Sequence, residues 1–284
     1  GDSLGAAWRT GGGVSLGCVG GGFPGLGARL LRPMDTSPPE GSAAFPRRTS
    51  YAHHGEDLEV LAFFGGRPGV FVEAGSNHPI ESSQTYLLEQ RGWMGVLIEP
   101  NPWMAALCRQ LRPRARVFEC ALVEPGGPPE VRMRYPAPAL SELAKVVAGA
   151  SDEAAEGAAV SFVSPARTLD EVLAEAGLER IDYFSIDLEG YEAAALRGFD
   201  WARWRPRLIS VEDHCEDLAT WRRVRAGGYR FLRRIGDNDW YVPADAPERT
   251  TVMERAGLVR KKFLSLPFRR LRWLSRRVRG KEGG

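Results

Sequence analysis

Cysteine is scarce in this chain. Four cysteines are spread over 284 residues, none in a Cys-x-x-Cys pair, so no zinc-site spacing exists. Cys108 and Cys120 sit in apolar contexts and read as buried thiols, which fits a reducing compartment. Apolar runs of about 18 residues or more are absent, so no transmembrane helix is expected. The apolar stretch near the N-terminus is broken by glycines, unlike a signal peptide. The expected location is therefore cytoplasmic. A Gly-x-Gly-x-x-Gly turn is missing too. Counting from Gly75, the second and third glycine places hold Asn77 and Ile80. That argues against a dinucleotide with its pyrophosphate, and so against a nicotinamide dehydrogenase. No internal repeat is visible.

What is present is divided by charge. The net charge is only +2, but Met253 to Gly284 holds eleven Lys/Arg and two Glu, a net of +9, which leaves −7 for the rest. Residues 1–48 are rich in Gly, Pro, Ser and Arg and read as a flexible extension. Residues 49–246 read as the folded domain and residues 247–284 as a basic amphipathic tail. Phe268, Leu271, Leu274 and Val278 recur at helical spacing among the arginines. Such stretches lie on anionic membrane surfaces or bind polyanions, and residues 255–281 are expected to hold the protein at the inner face of a membrane or on such a polyanion. Nucleic acid is not an expected partner, because no aromatic stacking platform or known module supports it.

Between the extension and the tail, strands and helices alternate. Helices are expected over 56–64, 82–90, 102–111, 168–176, 192–196 and 216–226. Strands are expected from 69 into a tight turn at Gly75, and over 93–98, 116–122, 131–135, 160–163, 181–186, 207–211, 229–235 and 240–242. An Ala/Glu/Ser-rich loop or lid falls between the two strands of 131–163. Thr168 and Glu171 have capping-box spacing. This order predicts an α/β fold: a Rossmann-like, doubly wound, mostly parallel sheet closed by a C-terminal antiparallel hairpin.

Three carboxylates, Asp187, Glu189 and Glu192, arrive together just past the apolar strand ending at Ile186. Acids there are costly unless they bind something, and ligands of open α/β sheets sit at that edge. Gly75, after the first strand, lets backbone approach a ligand closely. Glu99 ends the second strand, where an acid accepts hydrogen bonds from ribose hydroxyls. Glycine turn plus acid, without phosphate glycines, suits S-adenosylmethionine.

The segments Gly55-Glu-Asp-Leu, Phe71-Val-Glu-Ala-Gly, Ser83-Gln-Thr-Tyr-Leu-Leu-Glu, Gly92-Trp93, Ile98-Glu-Pro-Asn-Pro, Thr168-Leu-Asp and Ser185-Ile-Asp-Leu-Glu-Gly-Tyr-Glu, in this order, resemble the FkbM-type methyltransferases. The resemblance spans residues 51–243 and implies a class I methyltransferase architecture, usually for O-methylation. It implies that Glu73 and Gly75, with Ser76 and Asn77, line the methionine and ribose side. Glu99 and Pro100 would lie at the ribose, Cys120-Ala121 near the adenine, and Asp187 at the transferred methyl. Ser76-Asn77-His78-Pro79 departs from the family's usual small residue and Asp-Gly.

Methyl transfer to oxygen needs an aligned acceptor and a base. Asp187 and the strand end Glu212-Asp213-His214 converge on that task. Adjacent parallel strands are expected to bring Asp187 and Asp213 together, where with His214 they act as base or hold a divalent cation, Mg or Mn. Ser83 and Thr85 are expected near the cofactor carboxylate. His54, His78, Glu189 and Asn238 are expected on the acceptor side. The acceptor is a small molecule or glycan: a hydroxyl on a sugar, glycolipid or secondary metabolite. The rival reading is a catalytically idle cofactor-fold module docked by its basic tail.

Overall fold

Strand β1 (Val70–Ala74) is buried along its whole length and lies inside a seven-stranded sheet. Its residues point alternately to two cores. Val70 and Val72 join one with Val96, Leu169, Phe184 and Ile209, while Phe71 joins the other with Trp93, Leu97, Tyr183 and Trp240. A strand covered on both faces is apolar nearly throughout, and Glu73 is the one polar residue of β1. The computed structural model describes residues 49–136, 159–215 and 218–265.

On one side of β1 lie β2 (Met94–Ile98) and β3 (Ala115–Phe118), both parallel to it. On the other lie β7 (Tyr183–Ile186) and β8 (Leu208–Glu212), also parallel. The hairpin β9 (Tyr229–Ile235) and β10 (Asn238–Pro243) closes the sheet antiparallel, giving the order β3-β2-β1-β7-β8-β10-β9. The predicted α/β class, doubly wound and mostly parallel with a terminal hairpin, is the one observed. The chain turns outward in opposite directions from β1, so the crevice at its carboxyl end is the topological switch point.

The predicted strand over 116–122 divides. β3 stays in the main sheet, while β4 (Ala121–Leu122) leaves it to pair with β6 (Ala159–Arg167), which also pairs antiparallel with β5 (Glu130–Pro136). The helices are α1 (Glu56–Phe63), α2 (Tyr86–Gln90), α3 (Pro102–Leu111), α4 (Leu169–Ala176), α5 (Glu192–Ala195), α6 (Trp201–Trp204), α7 (Ala219–Ala226) and α8 (Val252–Leu258). The Thr168–Glu171 capping box of α4 forms as predicted. The predicted extension over 1–48, the lid segment over 137–158 and the tail beyond 265 lie outside the described residues.

The packed body does not stop at residue 246. Thr251 caps α8, and the chain continues as a π-helical turn, Val259–Leu264. Thr250 Oγ1 donates to the Phe231 carbonyl at 2.6 Å, and Leu258 packs against the core. Lys262, one cation among many in the sequence, is buried between Asp213 and Asp239, 2.6 Å from Asp239 Oδ2. Its charge is what makes the burial of two acids tolerable. Lys262→Met should therefore cost about 3–5 kcal/mol in urea unfolding. A loss well under 1 kcal/mol would mean that water, not Lys262, stabilises these acids.

Candidate active site

One row of residues stands along the carboxyl edge of the parallel strands. Backbone bonds carry the parallel register one step past the strands. Glu99 N donates to the Phe118 carbonyl, Gly75 N to Ile98 and Asp187 N to Ala74, each at 2.9 Å. Ile186 pairs with Val211, which sets Asp187 beside Glu212, and Glu212 pairs with Asn238 of β10. Glu99, Gly75, Asp187, Glu212 and Asn238 thus lie side by side across five strands. A cavity of about 70 Å³ opens here, lined by Glu73, Gly75, Asn77, Glu81, Ser185 and Asp187 among others.

Gly75 is what brings the two central turns together. It sits at φ +81°, and a Cβ there would lie 1.7 Å from the Asp187 carbonyl oxygen. The close approach expected at this glycine is thus made first to the chain itself. Asn77 follows at φ +45°, a conformation Asn tolerates. Its amide donates to Glu99 Oε2 at 2.6 Å, and the Asn101 amide donates to Glu99 Oε1 at 2.9 Å. Burial nonetheless pushes the Glu99 carboxyl up to about 7. Pro100 leads from Glu99 into Asn101, whose side chain caps α3. Ser76 is buried 3.8 Å from the Cys108 sulfur. Ala121 is buried in β4, in the small sheet.

Ser83 and Thr85 turn their hydroxyls to Glu73. Both are buried and donate to Glu73, as does the Gln84 amide at 3.0 Å. This use of 83–85 as a clasp explains why α2 begins at Tyr86 and not at the predicted 82. Beneath them Arg112 is buried and binds Glu89 at 2.6 Å, Thr85 Oγ1 at 2.7 Å and the Pro79 carbonyl at 2.9 Å, with Glu73 Oε2 3.8 Å away. Desolvation raises the Glu73 carboxyl, while Arg112 and the clasp oppose the rise. Sequence reasoning missed Arg112, which reads there as an ordinary helix-end cation.

The expected Asp187–Asp213 pair is replaced by Asp187–Glu212. Side chains alternate along a strand, so residues 212 and 213 leave β8 on opposite faces. Glu212 faces Asp187, while Asp213 turns to Lys262 and accepts from the Cys215 amide at 2.6 Å. Counting one residue beyond the predicted strands 181–186 and 207–211 would have paired Asp187 with Glu212. Burial is the main cause that raises Asp187, to about 8, and its hydrogen bond to Glu212 adds to the rise. Glu212 is raised by burial as well, and its bond to Asp187 counters this. Both carboxyls are thus held above their ordinary range, chiefly by burial.

The remaining candidates surround this pair unequally. His214 is half exposed, with Nε2 3.4 Å from Glu212 Oε2. Glu189 is exposed at φ +51°. Glu192 is buried and closes its own turn, accepting from the Leu188 and Gly190 amides at 2.9 and 3.0 Å. Asn238 Nδ2 donates to Glu56 Oε1 at 3.0 Å, tying the hairpin to α1, while Asn238 Oδ1 is buried without a hydrogen bond among the described residues. His54 packs its ring on Gly236, where a Cβ would lie 1.9 Å from it. His78 Nδ1 accepts from the Ile80 and Glu81 amides at 3.2 and 2.9 Å, so it shapes its own loop. Two groups have ligand atoms within 4.8 Å of one another and suit a cation: Asp187, Glu192 and Glu212, and Glu189, Glu212 and His214.

Two outcomes test this geometry. Gly75→Ala should separate the β1 and β7 turns and abolish cofactor binding in calorimetry; binding at parental affinity would refute the tight approach. The folded Asp187 carboxyl lies above its ordinary 3.8, at about 8, so the folded chain holds a proton that the unfolded chain releases. Stability therefore falls as pH rises from about 4 to 8. Asp187→Asn should flatten that slope in urea titrations, and an unaltered slope would place the proton elsewhere.

The model of the methyltransferase FkbM domain matches residues 73–231. No curated protein matches the chain. Among solved structures, the chain is similar to a Staphylococcus aureus protein assigned as a caffeoyl-CoA O-methyltransferase, at 11% identity and TM-score 0.37 over 66% of this chain and 80% of that one. It is also similar to the precorrin-6y C5,15-methyltransferase of Geobacter metallireducens GS-15, at 9% identity and TM-score 0.35 over 69% of this chain and 89% of that one. The family match covers more than half of the chain and takes in Glu73, Gly75, Glu99, Asp187 and Glu212. The chain belongs to the FkbM methyltransferase family.

Proposed function

We propose that the chain is an S-adenosylmethionine-dependent O-methyltransferase whose acceptor is a hydroxyl on a sugar, glycolipid or secondary metabolite. The observation that carries this reading is the buried carboxyl pair Asp187–Glu212 at the edge of the switch-point cavity. The chemistry of the lining fits the cofactor. Each Glu99 oxygen has one backbone donor and keeps a lone pair, which suits the two hydroxyls of a ribose. The acidic floor of Glu73 and Asp187 suits a sulfonium cation. When bound, S-adenosylmethionine supplies an electrophilic methyl group for in-line displacement.

The chain's own residues then align the acceptor and remove its proton. Near neutral pH the Asp187–Glu212 pair holds one proton and is a poor base. As pH rises through about 8 that proton leaves, and the pair can accept one from the hydroxyl. His214, beside Glu212 Oε2, is placed to pass it to solvent. Asp213 takes no part in this step, being committed to Lys262. A divalent ion, Mg or Mn, would replace the shared proton at Asp187, Glu192 and Glu212. Unchanged activity through EDTA treatment and Mg or Mn addition removes the ion from the reading.

The test is S-adenosylhomocysteine calorimetry followed by methyl transfer to a panel of glycans and other alcohols. Glu212→Gln should keep the cofactor and lose on the order of 10²–10⁴ in kcat, with the alkaline rise in rate abolished. Asp187→Ala should lose a similar factor. Parental rates in both variants would defeat the base assignment, and cofactor binding with no transfer to any acceptor favours the idle binding module.

A further inference from the structure

We propose that α8 and the π-helical turn after it form an interfacial element that docks the protein on an anionic lipid surface. This does not depend on the reaction proposed above. The element exposes an apolar face: Val252 is 83% exposed, Met253 84% and Leu264 64%, with Val259 and Phe263 partly exposed beside them. Val252, Val259 and Phe263 recur at seven- and four-residue spacing, as one stripe of a helix does. Large apolar side chains so exposed, close together on one element, mark an interaction surface.

The charges around the stripe say what it meets. Arg255 and Arg260 are exposed among the apolar residues. The one acid of the helix, Glu254, is held in the capping box with Thr251. From residue 253 onward the chain carries a net +9. Arginines flanking exposed aliphatic and aromatic side chains are what an interfacial helix presents to acidic headgroups. A second copy meeting the same face would bring two strongly basic segments together, which like-charge repulsion opposes. A phosphate backbone would satisfy the arginines but leave Val252, Met253 and Leu264 wet.

The element is not loosely tethered. Leu258 packs into the core, Phe263 meets Trp221 edge-on at 5.5 Å, and Lys262 is locked between Asp213 and Asp239. Asp213 directly follows Glu212 of the site. Docking through this face therefore sets the orientation of the carboxyl edge of the sheet to the bilayer.

The experiment is sedimentation of the full chain with phosphatidylcholine vesicles, with and without phosphatidylserine. The parent should pellet with the anionic vesicles, less so as salt rises, and poorly with the neutral ones. The double variant Met253→Ser/Leu264→Ser keeps the whole basic tail, so it isolates the apolar face. It should bind about tenfold more weakly with an unchanged urea midpoint. Arg260→Glu should weaken binding as well. Equal pelleting with both vesicle types, or by parent and double variant, overturns the proposal. So does a lipid-free dimer that the double variant converts to monomer, because the face would then belong to a second copy. Binding that appears only after cleavage beyond Ser265 also overturns it, because the tail would then cover the face.

Discussion

Burying carboxylates without their water is the constraint on which this structure depends. The carboxyl edge of the sheet collects acids, and each needs compensation inside a low-dielectric body. Glu73 has Arg112 and a clasp of hydroxyls and amides. Asp213 and Asp239 have Lys262. Glu99 has two backbone amides. Asp187 and Glu212 have chiefly one another and a proton. The acids matched by fixed cations serve as scaffold, and the pair matched by a mobile proton is the one that chemistry can use. In the proposed reaction, stability at that point is given up for a base.

The surrounding architecture serves the same constraint. Gly75 lets the β1 and β7 turns meet at a distance no side chain would permit, which holds Asp187 close to the cavity. The hairpin contributes Asn238 next in the row and ties it to Glu56 of α1. The elements supplying Asp239, Asn238 and Lys262 all fall after residue 231, where the family match ends. The strands within the matched range are thereby completed by pieces from the C-terminal part of the chain.

Most of the fold was legible in the sequence because its signals are local. Mostly apolar runs marked β1, β2 and β7, Pro102 marked the start of α3, and Thr168 with Glu171 marked α4. Gly75, Glu99 and Asp187 were legible because each follows a strand end. What escaped depends on partners remote in sequence. Ser83 and Thr85 look like helix-start residues until Glu73 and Arg112 are seen beneath them. Lys262 looks like one charge in a basic run until Asp213 and Asp239 close over it. Glu212 and Asp213 are adjacent acids that composition cannot separate; only the parity of the strand does so.

That parity gives β8 a double duty. Its last residue, Glu212, feeds the reacting edge, and the next, Asp213, fastens the C-terminal helix on the opposite face. A single-residue insertion or deletion within β8 would exchange the two acids between these faces, aiming the anchor at the cavity and the base at Lys262. Length variation, tolerated in most loops of such a protein, is therefore barred from this five-residue strand. The carboxyl pair and the C-terminal attachment are inherited together as one reading frame of the sheet.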